Sequence, residues 1–250
     1  MGFAKKNLIF LLLAFFALPL LAETSDQEIF ALLSDKLKNE KESKLRTMRK
    51  VGNKTVRLEA FISAEGDMKH AQQIFSDYSR YSDWVLPNFN VRPSGGTYFF
   101  KLHSLQVDPL QKNRLKTTFQ FDFPLFHSFM DRDFDLTTSV ENSVFLLEGV
   151  AVPKPTSNIQ SAQGFMKIFQ SPKYATHLWI YIQGSAVIRN PILYGLLPDN
   201  AMTKQIGERI ETVVDNYQKE EAKLRDAKLN QIPIEKMGER SDLSPLPHPK

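Results

Sequence analysis

The chain has 250 residues, 32 basic and 28 acidic side chains, a formal charge of +4, and 42% hydrophobic residues. It contains no cysteine, which excludes a thiolate nucleophile, a disulfide framework, and cysteine-ligated zinc or iron–sulfur centres. The basic excess is small, and its one run, residues 36–50, is interrupted by Glu40 and Glu42, so it reads as a solvated helix and linker and no nucleic-acid partner is expected.

Residues 1–22 carry Lys5 and Lys6, then an apolar run from Leu8 to Leu18, then Pro19, Leu20, Leu21 and Ala22. This is the charged start, apolar stretch and small-residue exit of a secretory signal peptide. The run is short for a bilayer span, which takes about 20 apolar residues. Cleavage after about Ala22 and a periplasmic or secreted location are expected. The other reading is an uncleaved N-terminal helix that anchors the chain. An exported chain without disulfides must be held by its core, and this length suffices for one such domain.

Ser25-Asp26-Gln27-Glu28 is a capping box, and Ile29, Leu32, Leu33 and Leu37 mark one face of the short helix that follows. Residues 38–53 are charged, and 23–50 is read as an N-terminal extension. A half-buried strand is predicted over 54–63, with Val56, Leu58, Ala60 and Ile62 on one face and Thr55, Arg57 and Glu59 on the other. A helix follows over 64–77, with Met68, Ala71, Ile74 and Phe75 at helical spacing, then a second short helix over 78–85.

Strands fill residues 89–188. Predicted strands run over 97–107, 115–123, 133–141, 143–152, 164–170 and 174–188, joined by short turns, which implies an antiparallel meander. The last is apolar on both faces: His177, Trp179 and Tyr181 on one, Leu178, Ile180 and Ile182 on the other. From Asp199 a long helix runs to about Leu229, with Ile206, Ile210, Val213, Val214, Tyr217 and Leu224 along one side. Residues 230–250 form a proline-rich tail expected to be disordered. The fold class is therefore α+β: a curved antiparallel sheet wrapped around a long C-terminal helix, with two short helices after the first strand. The long helix is the one element large enough to cover the apolar face of such a sheet.

Three places resemble the START-like (helix-grip) superfamily of lipid-transfer domains and polyketide cyclases. One is Phe61-Ile62-Ser63-Ala64 followed by a helix and Asp77-Tyr78-Ser79-Arg80-Tyr81-Ser82-Asp83-Trp84. Another is Asp131-Arg132-Asp133-Phe134, similar to the segment that opens a central strand in START domains. The third is the final strand over 176–184 and the turn into the last helix. The resemblance implies a START-like domain over 51–229 that binds or carries a lipid or other hydrophobic small molecule between sheet and helix. It also implies a gate in the loop 124–129, where Leu125, Phe126 and Phe129 either dip into a membrane transiently or serve as plain core anchors. With a cavity implied, Trp84, Phe100, Phe119, Phe121, Trp179 and Tyr181 become candidates for ligand contact, each also readable as simple core.

The chemistry-bearing residues are sparse. There is no Gly-x-Ser-x-Gly elbow, no His-x-x-x-His pair and no Gly-rich phosphate loop, so no catalytic residue, metal ligand or cofactor is assigned. His103 and His177 lie on strands, either as satisfied polar groups or facing the cavity; His103 is carried forward as a ligand contact. Arg132 and Asp133 face opposite sides of one strand, so Arg132 either meets an anionic headgroup or makes a structural ion pair. The leading expectation is a non-enzymatic binder. The alternatives are a cyclase or aromatase on the same fold, and an interaction module with a filled interior whose protein partner the sequence does not name.

Overall fold

The structure, a computed structural model, describes residues 25–37, 45–51, 54–90, 99–122, 127–157, 159–189, 191, 194 and 199–229. Helix α1 (Asp26–Lys36) opens with the predicted capping box: Ser25 Oγ accepts from Glu28 N at 3.3 Å, and the Glu28 carboxylate accepts from Ser25 N at 2.8 Å. Strands β1 (Leu45–Val51) and β2 (Thr55–Glu65) follow. Helix α2 (Met68–Ser76) is capped by Asp67, whose carboxylate accepts from Lys69 N at 2.8 Å and His70 N at 3.2 Å. A single 3-10 turn (Tyr78–Arg80) leads into α3 (Tyr81–Val85).

Six strands then form a meander: β3 (Phe99–Val107), β4 (Arg114–Asp122), β5 (His127–Glu141), β6 (Val144–Ala151), β7 (Ile159–Gln170) and β8 (His177–Ile188). Helix α4 (Asp199–Leu229) completes the described chain. The β5–β6 hairpin turns on Asn142 and Ser143, both in the left-handed region at φ 49° and 66°, the backbone of a two-residue turn that matches strand twist.

All eight strands are antiparallel, in the order β1-β2-β8-β7-β6-β5-β4-β3. The second strand thus closes against the last one, and the curved sheet grips α4. This is the architecture expected from the sequence pattern, a curved antiparallel sheet around a long C-terminal helix. Pairings place Ala60 opposite Ile182 and Leu147 opposite Met166 on the concave face, beneath α2, α3 and α4.

The opposite face is also covered. Ile29 and Leu33 of α1, and Leu37 that caps its C-terminus, are each fully buried against Phe61, Phe169, Trp179 and Tyr181. Phe30 lies 5.9 Å from Phe169, and Lys167 Nζ binds Asp26 Oδ1 at 2.6 Å. Burying each of those aliphatic side chains is worth about 1.5–3 kcal/mol, enough to hold an eleven-residue helix that would be marginal alone. The domain therefore has three layers: α1, sheet, and the α2–α3–α4 group.

Three sequence boundaries are corrected. Residues 45–51, read as part of a charged extension, form edge strand β1, paired in register with β2 from Leu45↔Phe61 to Val51↔Thr55. An edge strand tolerates the charges that made this segment look unstructured. Strand β5 begins at His127, six residues before the predicted start, and β7 begins at Ile159 rather than Gly164. The signal segment 1–22 and the tail 230–250 lie outside the described residues.

Candidate ligand cavity

The concave face and α4 do not fill the space between them. A cavity of about 140 Å³ remains. Its floor is Leu102 and Leu105 of β3, Leu136 of β5, Leu147 of β6, Met166 of β7, and Ile180 and Ile182 of β8. Phe75, Tyr81, Trp84 and Val85 form one wall, and Ile210, Val213, Val214 and Tyr217 of α4 form the roof. The spacing 210, 213, 214, 217 is one stripe of a helix, so the amphipathic period read in the sequence is what points these side chains inward. The wall is aromatic: Trp84 meets Phe75 and Tyr81 edge-on at 5.5 and 5.4 Å, and Phe75 stacks on Tyr217 at 5.1 Å.

Helix α4 is fixed over the cavity by a polar network beyond its rim. His70 Nδ1 lies 2.5 Å from Glu221 Oε2, with both side chains buried. Arg225 joins Glu221 at 3.3 Å and Glu65 at 3.0 Å. Arg80 and Lys223 bind Glu220 at 2.7 and 2.5 Å, and Asn216 donates to Pro87 O at 2.6 Å. The Arg209 guanidinium sits over the Phe89 ring at 5.4 Å. Burial works against the charged form of Glu220, but its hydrogen bonds from Lys223 and Arg80 win and hold its carboxyl below the ordinary value.

Two lining residues carry polar atoms without a partner among the described residues: Trp84 Nε1 and Tyr217 Oη. Burial, and then the Glu221 carboxylate, push the Tyr217 phenol up, so it stays protonated. The Tyr81 hydroxyl, raised chiefly by burial, donates to Phe75 O at 2.5 Å. No other described lining side chain holds a polar group apart from the Met166 thioether.

The predicted site residues divide among four places. Trp84 lines the cavity. Phe119 is buried in the concave core opposite Leu102, outside the lining. Trp179 and Tyr181 do not face the cavity. They lie on the opposite face of β8, under α1, where Phe30 is 5.4 Å from Trp179 and Phe61 is 5.4 Å from Tyr181. Burial, together with the Glu59 carboxylate beside its hydroxyl, holds the Tyr181 phenol above its ordinary value. His103 is exposed: a register shift between Leu102 and Ser104 turns Leu102 and Leu105 inward and leaves His103 outside, edge-on to Phe129 at 5.6 Å.

Phe129 belongs to strand β5 rather than a loop tip and is 48% exposed. Leu125 and Phe126, and the side chains of Phe100 and Phe121, lie outside the described residues. Arg132 is buried on the concave face, but at its end. Its two terminal nitrogens donate to Val152 O at 3.1 Å and Ile159 O at 2.7 Å, and it makes no ion pair with a carboxylate among the described residues. His177 is half-buried beside Tyr174 at 5.4 Å, on the side of β8 away from the cavity. Among the described residues no cluster of His, Asp and Glu could hold a metal ion, and no helix is long and apolar enough to cross a membrane.

No family model matches this sequence, and no curated protein matches it. Solved structures resemble it in shape. A STAR-related lipid transfer protein from Xanthomonas axonopodis aligns at a TM-score of 0.47 with 10% identity, covering 71% of this chain and 94% of that one. Human STARD10 aligns at 0.41 with 14% identity, covering 89% and 90%. The Zhui aromatase/cyclase from a Streptomyces species aligns at 0.38 with 9% identity, covering 70% and 96%. What the cavity can do follows from its own walls.

Proposed function

We propose that this protein is an exported, non-enzymatic binder of a hydrophobic small molecule, or of the apolar part of a lipid, held between the sheet and α4. The observation that carries the reading is the cavity itself: apolar on floor and roof, and closed by a helix pinned beyond its rim. Binding works by desolvation, at about 25 cal/mol for each Å² of apolar ligand surface removed from water. The segment 1–22 supports export, and the lining supports binding over chemistry, because no carboxylate, imidazole or lysine is among its described residues to move a proton.

Native mass spectrometry of the purified protein tests this. A co-purified apolar ligand, or uptake of one from a lipid extract, is the expected result. Val213→Trp, which places an indole in the roof, should abolish uptake while the protein stays folded. A chain that takes up nothing, or whose uptake ignores that substitution, overturns the reading. Export is checked by cell fractionation and the mass of the mature N-terminus.

A further inference from the structure

Aromatic side chains occupy much of the space that the curved sheet encloses. Tyr81 meets Trp84 at 5.4 Å, Trp84 meets Phe75 at 5.5 Å, and Phe75 stacks on Tyr217 at 5.1 Å. The four rings form one continuous row from α3 through α2 to α4. Phe75 also reaches Phe145 of β6, at 6.4 Å. A ring packed against neighbours on both sides does not swing aside without losing those contacts. The cavity left beside the row is about 140 Å³. That lies below the roughly 300–1,000 Å³ of drug-sized sites and close to the roughly 150 Å³ of an apolar cavity that takes up benzene.

The row adds no polarity to the cavity. Trp84 is 3% exposed and Tyr217 0%, and neither the indole nitrogen nor the Tyr217 hydroxyl has surface open to a molecule in the cavity. The Tyr81 hydroxyl is committed to Phe75 O. No charged side chain is among the described lining, and the floor and roof are aliphatic apart from the Met166 thioether and the Tyr217 ring. A polar or charged group placed here would lose its hydration with no partner to replace it.

Resting on the binding function proposed above, we propose that the cavity takes one compact hydrocarbon group, a single ring or a chain end of about six carbons, and leaves everything beyond that size in water. The ligand is then a small apolar molecule, or a larger one of which only the apolar tip is enclosed. A long-chain lipid is not enclosed whole. The limit is a property of the lining, so a change in the lining moves it. Met166 of β7, paired with Leu147 of β6, is the unbranched flexible side chain of the floor and is half-buried. Shortening it lengthens the cavity without touching the aromatic row.

Straight-chain primary alcohols from butanol to decanol test this, with binding to the purified protein followed by calorimetry or methyl NMR. Affinity should rise about fourfold with each added carbon while the chain is being buried. The rise should stop near hexanol, and the longer alcohols should bind no more than about twofold tighter than hexanol. The hexane diol with a hydroxyl at each end must bury one of them, and should bind at least about tenfold more weakly than hexanol. Met166→Ala should carry the rise about one or two carbons further. Val213→Trp, in the roof, should remove binding of the whole series.

A gain of about fourfold per carbon that continues unbroken to decanol in the unmodified protein overturns the inference without any variant. So does a diol that binds as tightly as hexanol, or a limit that stays in place in a folded Met166→Ala protein. Binding of none of the alcohols overturns this inference and the binding function together; binding of all of them with no limit overturns the inference alone.

Discussion

The Phe30 ring of α1 lies 5.4 Å from the indole of Trp179, on the face of β8 that turns away from the cavity. This contact ties the first helix to the domain and accounts for a strand that is apolar on both sides. Phe30→Ala should cost about 1–3 kcal/mol, because the ring is half-buried and its loss also uncovers Trp179. In a Trp84→Phe background, fluorescence should shift red while chemical denaturation moves to lower midpoint. An unmoved midpoint would mean that α1 is not docked in solution.

Gly66 faces the Tyr217 hydroxyl so closely that a Cβ at position 66 would overlap it. The ring is stacked on Phe75 and cannot simply swing aside. Gly66→Ala should destabilise by about 1–3 kcal/mol through overpacking. Adding Tyr217→Phe should restore most of that loss, giving a coupling readable in a double-mutant cycle. Strict additivity of the two changes would refute the contact.

Arg132 serves the sheet's end. Replacing it by Met leaves the Val152 and Ile159 carbonyls without their charged donor and should cost about 2–4 kcal/mol. Arg132→Lys should recover little, since one ammonium cannot reproduce a guanidinium reaching two carbonyls. Ligand affinity, measured at a temperature where the variants stay folded, should match the unmodified protein. A selective loss of binding would instead place Arg132 in the ligand site.

Glu220 gives the pH dependence a sign. Its carboxyl sits below the ordinary 4.5 in the folded state, so its contribution is complete above that value. The contribution is lost as pH falls below 4.5 and through the lower folded value. Glu220→Gln should therefore be less stable than the parent by a constant margin near neutrality, and the margin should narrow in acid. Denaturation midpoints across an acid-to-neutral series would show this, and a margin independent of pH would rule it out.

Much of the architecture was legible because it is written in periods. The alternation of β2 and the 3.6-residue stripe of α4 named the inward residues Ala60, Ile62, Ile210, Val213, Val214 and Tyr217 directly. The candidate site was harder. On β8 the sequence separates two faces correctly, yet nothing in alternation says which is concave. The large rings of Trp179 and Tyr181 drew attention to the face that α1 covers, while the modest Ile180 and Ile182 line the cavity. The signal was present in α1: a capped helix with a buried stripe needs a second apolar surface. His103 escaped for another reason. A one-residue register shift is invisible to alternation, and it reverses the side on which every later residue of β3 falls.

Strand β1 has one more consequence. It stands at one border of the sheet and carries Arg46, Arg49 and Lys50 within seven residues. Two copies meeting border to border would bring these like charges together, and the repulsion would oppose joining their backbones into one longer sheet. The basic character first read along residues 36–50 thus falls in part where charge discourages edge-to-edge pairing of sheets.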